Sequence, residues 1–240
     1  MKNRRTLIAA VVAGALILGA AGVGIIYFVV FAGSSPQKLA LSSPTPSASG
    51  SVTTTASTAS AGTWTVATGS VAGYRVREQL ASLSAPSDAV GRTTAVSGTL
   101  TLTQESSGYS VTAVDVSVDV SKLSSDQSRR DQRIHSQGLE SDRYPTATFK
   151  LTSPIALAAD ATSGQTIHVS ATGDLTIHGV TKSVTIPIDA RLSGSKIELV
   201  GSITFPFSQF GMTPPSIGGF VSVESSATME FQLLLTHQGA

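Results

Sequence analysis

Arg130–Phe149 reads RDQRIHSQGLESDRYPTATF, and Gly173–Ile188 reads GDLTIHGVTKSVTIPI. These two stretches decide the fold. In the first, a charged segment ends at Tyr144-Pro145, because proline drives the preceding residue into extended backbone. A strand then starts at Thr146. In the second, two alternating runs meet at Gly179, a residue suited to a tight turn with positive φ. Folding roles of this kind account for Gly173, Thr176, Gly179, Thr181 and Pro145 without any catalytic chemistry.

Period-two alternation extends outward from these segments. Thr112, Val114, Val116, Val118 and Val120 share one face, with Ala113, Asp115, Ser117 and Asp119 on the other. Val184, Ile186, Ile188, Ala190 and Leu192 repeat the pattern, as do Ile197, Leu199, Ile203, Phe205 and Phe207. Val223, Ala227, Met229, Phe231, Leu233 and Leu235 form a last such face. Strands of this type have one dry and one wet side. Further strands are expected over 63–67, 73–80, 97–104, 146–153 and 166–178. Eight or nine strands joined by short Gly/Ser turns indicate an all-β antiparallel barrel or sandwich. The one helix is expected over Ser124–Gln137, capped by Ser124 or Ser125 with Asp126 near its positive end. A barrel of about eight strands has an interior that side chains just fill, or that holds one small ligand.

Residues 1–62 are of another character. Leu7–Ala32 is an unbroken apolar run of 26 residues behind Lys2, Arg4 and Arg5. As a helix it would span about 39 Å, enough for a tilted crossing of a bilayer. The basic residues before it put the N-terminus in the cytoplasm and the rest of the chain outside. A cleaved signal peptide is the competing reading, but the run continues through Ile25–Phe31, past the length of such a segment. Residues 1–32 are therefore expected to be a basic tip and a single transmembrane helix. Residues 33–62, rich in Ser, Thr, Ala and Pro, are expected to be a disordered tether. The chain has no cysteine, so no disulfide supports the domain over 63–240.

That domain keeps 12 of the 16 Lys and Arg and all 15 Asp and Glu, a formal charge of −3. A nucleic-acid binder normally carries a basic surplus, so nucleic acid is not an expected partner. The histidines His135, His168, His178 and His237 lack metal-ligand spacing. Ser193-Gly194-Ser195-Lys196 fits Ser-x-x-Lys only as an isolated match at a glycine turn. No catalytic group, metal or cofactor is expected.

The two opening stretches resemble the YceI-like family of exported lipocalin-like β-barrels. The resemblance rests on Arg130-Asp131, Ile134, Leu139, Tyr144-Pro145 and Thr146–Phe149, then on Gly173, Leu175, Thr176, Gly179, Val180, Thr181 and Lys182. Ser208-Gln209-Phe210-Gly211 adds a looser match. The runs at Val71–Glu78 and Val90–Thr93 look like the variety found in high-GC Gram-positive bacteria.

The resemblance implies a barrel that holds an isoprenoid or quinone-like lipid. The apolar lining expected for it is Val114, Val116, Val118, Phe149, Leu151, Leu175, Ile186, Ile188, Phe205, Phe207, Met229 and Phe231. Arg130, Arg133, His135 and Tyr144 are the candidates to meet a head group. The expected setting is the cell membrane, with residues 7–32 as anchor, the barrel extracytoplasmic and a homodimer open. The alternative is a non-catalytic cell-envelope domain with a filled barrel that docks a protein partner.

Overall fold

A computed structural model describes residues 35–43, 61–80, 86–193, 195–214 and 221–238. The expected anchor over 7–32, and residues 33–34 and 44–60 of the tether expected over 33–62, lie outside the described residues. The chain divides into two compact units, Met1–Pro36 and the larger Gln37–Ala240.

The larger unit is a closed antiparallel barrel. Its strands are β1 (Gly62–Val66), β2 (Val71–Leu80), β3 (Ser87–Thr93), β4 (Val96–Glu105), β5 (Gly108–Asp119), β6 (Thr146–Leu151), β7 (Ile155–Ala158), β8 (Ile167–Ile177), β9 (Val180–Ser193), β10 (Lys196–Pro206), β11 (Val221–Val223) and β12 (Ser226–His237). These twelve segments occupy eight positions, because β1/β2, β3/β4, β6/β7 and β11/β12 are each one interrupted strand. Pairing of β12 with β1 and β2 closes the ring.

Each break leaves backbone groups that need partners. Between β1 and β2 the buried Ser70 supplies them. Its hydroxyl donates to the carbonyl of Ala67 at 2.8 Å and accepts from the amide of Leu234 at 3.0 Å. The side chain thus replaces rungs that the interrupted strand cannot make.

Local chemistry sets the turns as the sequence suggests, with one shift of register. His178 and Gly179 have φ of 52° and 72°, between the paired residues Ile177 and Val180. Two positive φ values in a two-residue loop match the twist of the flanking strands. A Cβ on Gly179 would lie 2.7 Å from the Tyr144 ring. Gly179→Ala is therefore expected to cost about 1–2 kcal/mol from backbone handedness alone, and more through the clash with Tyr144. Urea unfolding of the two proteins measures it.

In β5 a bulge breaks the alternation. Thr101 pairs with Ala113 but Leu102 with Val111. Thr112 is exposed, and Val111, buried, takes the inward place that simple alternation assigns to Thr112. A bulge inserts one residue and reverses the sides beyond it.

The helix is shorter than expected. It covers α1 (Ser128–Arg133) and widens into a π-type turn over Ile134–Gly138. Ser125 does not cap it. Instead the Asp131 carboxylate accepts from the Ser125 amide at 3.0 Å and from its hydroxyl at 2.6 Å. Asp131 of the Arg-Asp pair thus folds the approach to α1 back on itself.

Two apolar clusters lie towards the two ends. One gathers Val76, Val120, Leu123, Ile177, Val184, Phe205, Phe207, Phe210 and Met212. The other gathers Trp64, Leu100, Leu102, Val111, Leu192, Leu233 and Leu235. The outer wall carries a less usual feature. Glu198 and Glu230 alternate outward from the lining strands, yet each is only 3% exposed. Glu230 accepts from Arg92 at 2.8 Å. Over Glu198 lies Ser42, in a part of the chain expected to be free tether.

Candidate functional site: an apolar barrel cavity

Val114, Val116 and Val118 face the barrel interior but are only partly buried, as are Phe149, Val169, Leu199, Met229 and Phe231. An inward apolar side chain that keeps accessible surface borders a void. That void is a part-enclosed cavity of about 170 Å³ with an almost wholly apolar lining. It runs from the middle of the barrel towards the end that carries the β4–β5 and β9–β10 turns. There it reaches Tyr109, Leu157, Ala161, Thr162 and Ile197.

Two glycines help to keep it open. The Phe149 ring lies so close to Gly173 that a Cβ there would meet it at 2.5 Å. The Phe231 ring lies against Gly201 with the same spacing. Both rings line the cavity. Without a Cβ at 173 and 201 the rings pack against the wall, and a side chain there would push them into the lumen. This gives Gly173 a physical role that the turn-forming Gly179 does not share.

Of the twelve residues expected to line a cavity, nine do: Val114, Val116, Val118, Phe149, Leu175, Ile186, Ile188, Met229 and Phe231. Phe205 and Phe207 do not. They belong to the packed opposite end, where Phe205 meets Phe210 edge-on at 4.7 Å between ring centres. Leu151 packs between the two clusters without bordering the void. Ala171, Val169, Leu100 and Tyr109 also line the cavity. Val169 and Ala171 share the inward face of β8 with Leu175, so alternation in that strand was the signal available for them.

The four head-group candidates lie away from the cavity, around the packed end. Arg130 donates to Glu78 at 2.6 Å and to Asp126 at 2.5 Å. His135 is held between the Ser141 hydroxyl at 2.7 Å and the Leu123 carbonyl at 3.1 Å. Tyr144 packs on His178, with 4.6 Å between ring centres. Arg133 sits half-buried on α1 outside the lining. The segment 124–144 closes this end, and the polar groups of Arg130 and His135 are spent on folding it. Burial also pushes the hydroxyl of Tyr74, beneath this segment, well above its ordinary value, with Asp131 and Glu78 adding to it against Arg130.

The histidines are dispersed. His168 pairs with Asp189 at 2.6 Å on the surface, and His237 meets Trp64 edge-on. Among the described residues no group of three or more His, Cys, Asp or Glu is placed to hold a metal ion.

Comparison with known proteins agrees with this architecture. The model of the YceI-like domain matches residues 64–235. A UPF0312 protein of Vibrio parahaemolyticus is 30% identical over 118 residues, 46% of this chain and 59% of that protein. A UPF0312 protein of Vibrio campbellii is 35% identical over 118 residues, with the same coverage. The chain thus spans about three-fifths of the length of these curated relatives. Among solved structures, a polyisoprenoid binding domain from Saccharophagus degradans, implicated in plant cell wall breakdown, superposes with a TM-score of 0.53 at 14% identity. That match covers 75% of this chain and 100% of the domain.

Proposed function

Because the chain belongs to the YceI-like domain family, we propose that it holds an isoprenoid or quinone-like amphiphile in its barrel cavity. The observation that carries this reading is the void itself, walled by partly buried inward side chains. The docking-domain alternative asks for a filled interior, and a cavity of about 170 Å³ speaks for the lipid. The Saccharophagus degradans domain, described as polyisoprenoid binding, supports the same choice of ligand class.

Size sets a condition on the binding. An apolar cavity of about 150 Å³ stays dry and accepts a ring the size of benzene. The present cavity therefore takes a small apolar group unaided. A longer prenyl tail uses the part-open end and the give of Met229, an unbranched side chain that repacks readily. Each CH₂ that it buries contributes about 0.8 kcal/mol before ordering costs. In this reading residues 7–32 anchor the chain, and the barrel works outside the membrane as a carrier or store without catalysis.

Native mass spectrometry of the full chain, purified in mild detergent from its own membrane fraction, tests the proposal. The expected result is a lipid adduct that survives gentle activation and is released at higher energy. A chain that arrives empty, and that takes up neither added farnesol nor a short-chain quinone, would refute it.

A further inference from the structure

Glu198 is a carboxylate on the outer wall of a barrel, where water would normally solvate it, and it is nearly inaccessible. Its partners come from three places. The Ser42 amide and hydroxyl each donate to Oε1 at 2.8 Å, and Gln232 Nε2 on β12 donates to the same oxygen at 2.8 Å. Arg191 Nη2 on β9 donates to Oε2 at 3.0 Å and to the Ser42 carbonyl at 2.6 Å. Burial opposes the charge, but the bonds from Ser42, Gln232 and Arg191 outweigh it and hold the carboxyl below its ordinary value. Ser42 is thus gripped by its amide, its carbonyl and its side chain. Five residues earlier, the Gln37 carbonyl accepts from Arg92, whose guanidinium also holds the buried Glu230. Leu39 and Leu41, between the two grips, are half-buried.

Two guanidinium–carbonyl contacts, with a carboxylate reading an amide and a hydroxyl, form a site for an extended peptide. We infer that the strip from Arg92 to Glu198 is a peptide-docking surface whose resident occupant is the chain's own segment Gln37–Ser43. The segment binds in cis as a releasable strap. Docking takes Gln37–Ser43 out of the free length of the expected tether, and it stands on the wall contacts alone.

Tryptic cleavage after Lys38, inside the strap, tests the docking on the full chain in detergent, with Ser42→Pro as the first variant. Proline removes the amide that Glu198 reads and the hydroxyl with it, and position 42 lies in no barrel strand. Charge-assisted bonds of this kind correspond to about 10- to 100-fold in an equilibrium. The expected result is slow cleavage after Lys38 in the natural chain and cleavage faster by that factor in the variant, with urea unfolding of the barrel unchanged. Glu198→Gln, which keeps an oxygen acceptor but loses the charge, should fall between the two. Fast cleavage in the natural chain overturns the inference, as does a rate indifferent to Ser42→Pro. Protection lost on dilution also overturns it, because the strap would then belong to a second copy. Each rate is read with and without added farnesol, so a failure of the lipid reading shows separately.

Discussion

Replacing Phe210 with alanine is expected to lower stability by about 3–5 kcal/mol, the range for removing a large buried aromatic. Phe210 is fully buried. It ends the 3-10 turn Phe207–Phe210, which Gly211 closes with φ of 67°. Its ring meets Phe205 edge-on, and its carbonyl lies 3.3 Å from His178 Nδ1 in the β8–β9 turn. The truncation therefore leaves a hole at a junction of three elements that cannot collapse independently. Urea unfolding with an unchanged m-value measures the loss. Phe210→Leu, which refills part of the hole, should recover part of it. A cost below about 1 kcal/mol would show that this end is not tightly packed.

The second large effect separates packing from void. Val116→Phe adds a ring to a side chain that lines the cavity, so the addition enters free space. Retention of lipid should fall by at least about tenfold, while stability stays level or rises by about 0.5–2 kcal/mol as in other cavity-filling changes. Val184→Phe adds the same ring at the packed end, where Val184 is 7% exposed. There overpacking should cost about 1–3 kcal/mol. Mass spectrometry of co-purified lipid, paired with unfolding curves, reads both. Equal destabilisation at the two positions would count against an open lumen. Unchanged lipid retention in Val116→Phe would place the ligand elsewhere.

The contrast between these positions marks what the sequence could convey. Alternation places Phe149 and Phe207 alike on inward faces, yet one borders a void and the other plugs an end. The difference arises from chain far away: the segment 124–144, and the turn at Phe207–Phe210, fold over one end only. No local pattern encodes that. The Arg130-Asp131 and Tyr144-Pro145 motif was legible as a fold signature for a related reason. Its ion pairs and its proline close the barrel, so the same groups could not also serve a head group.

Thr112 shows a second limit. The bulge opposite Thr101/Leu102 was hidden because β-branched Thr112 falls on the same period-two positions as Val114, Val116 and Val118. The short β3, interrupted by Gly91 and Arg92, gave no run long enough to register as a strand. The strap was hidden by sequence distance, since Ser42 and Glu198 lie 156 residues apart. A polar low-complexity segment reads as tether whether or not a distant carboxylate holds it.

The unfilled lumen also has a mechanical consequence. A void of about 170 Å³ per molecule amounts to about 100 mL/mol, the upper part of the volume change usually seen when proteins unfold. Hydrostatic pressure acts on that quantity directly. The empty barrel is therefore the compressible, pressure-sensitive form of the protein. A hydrocarbon chain seated among Val114, Val116 and Phe231 removes the void and stiffens the barrel, so occupancy of the lumen is written into the protein's resistance to pressure.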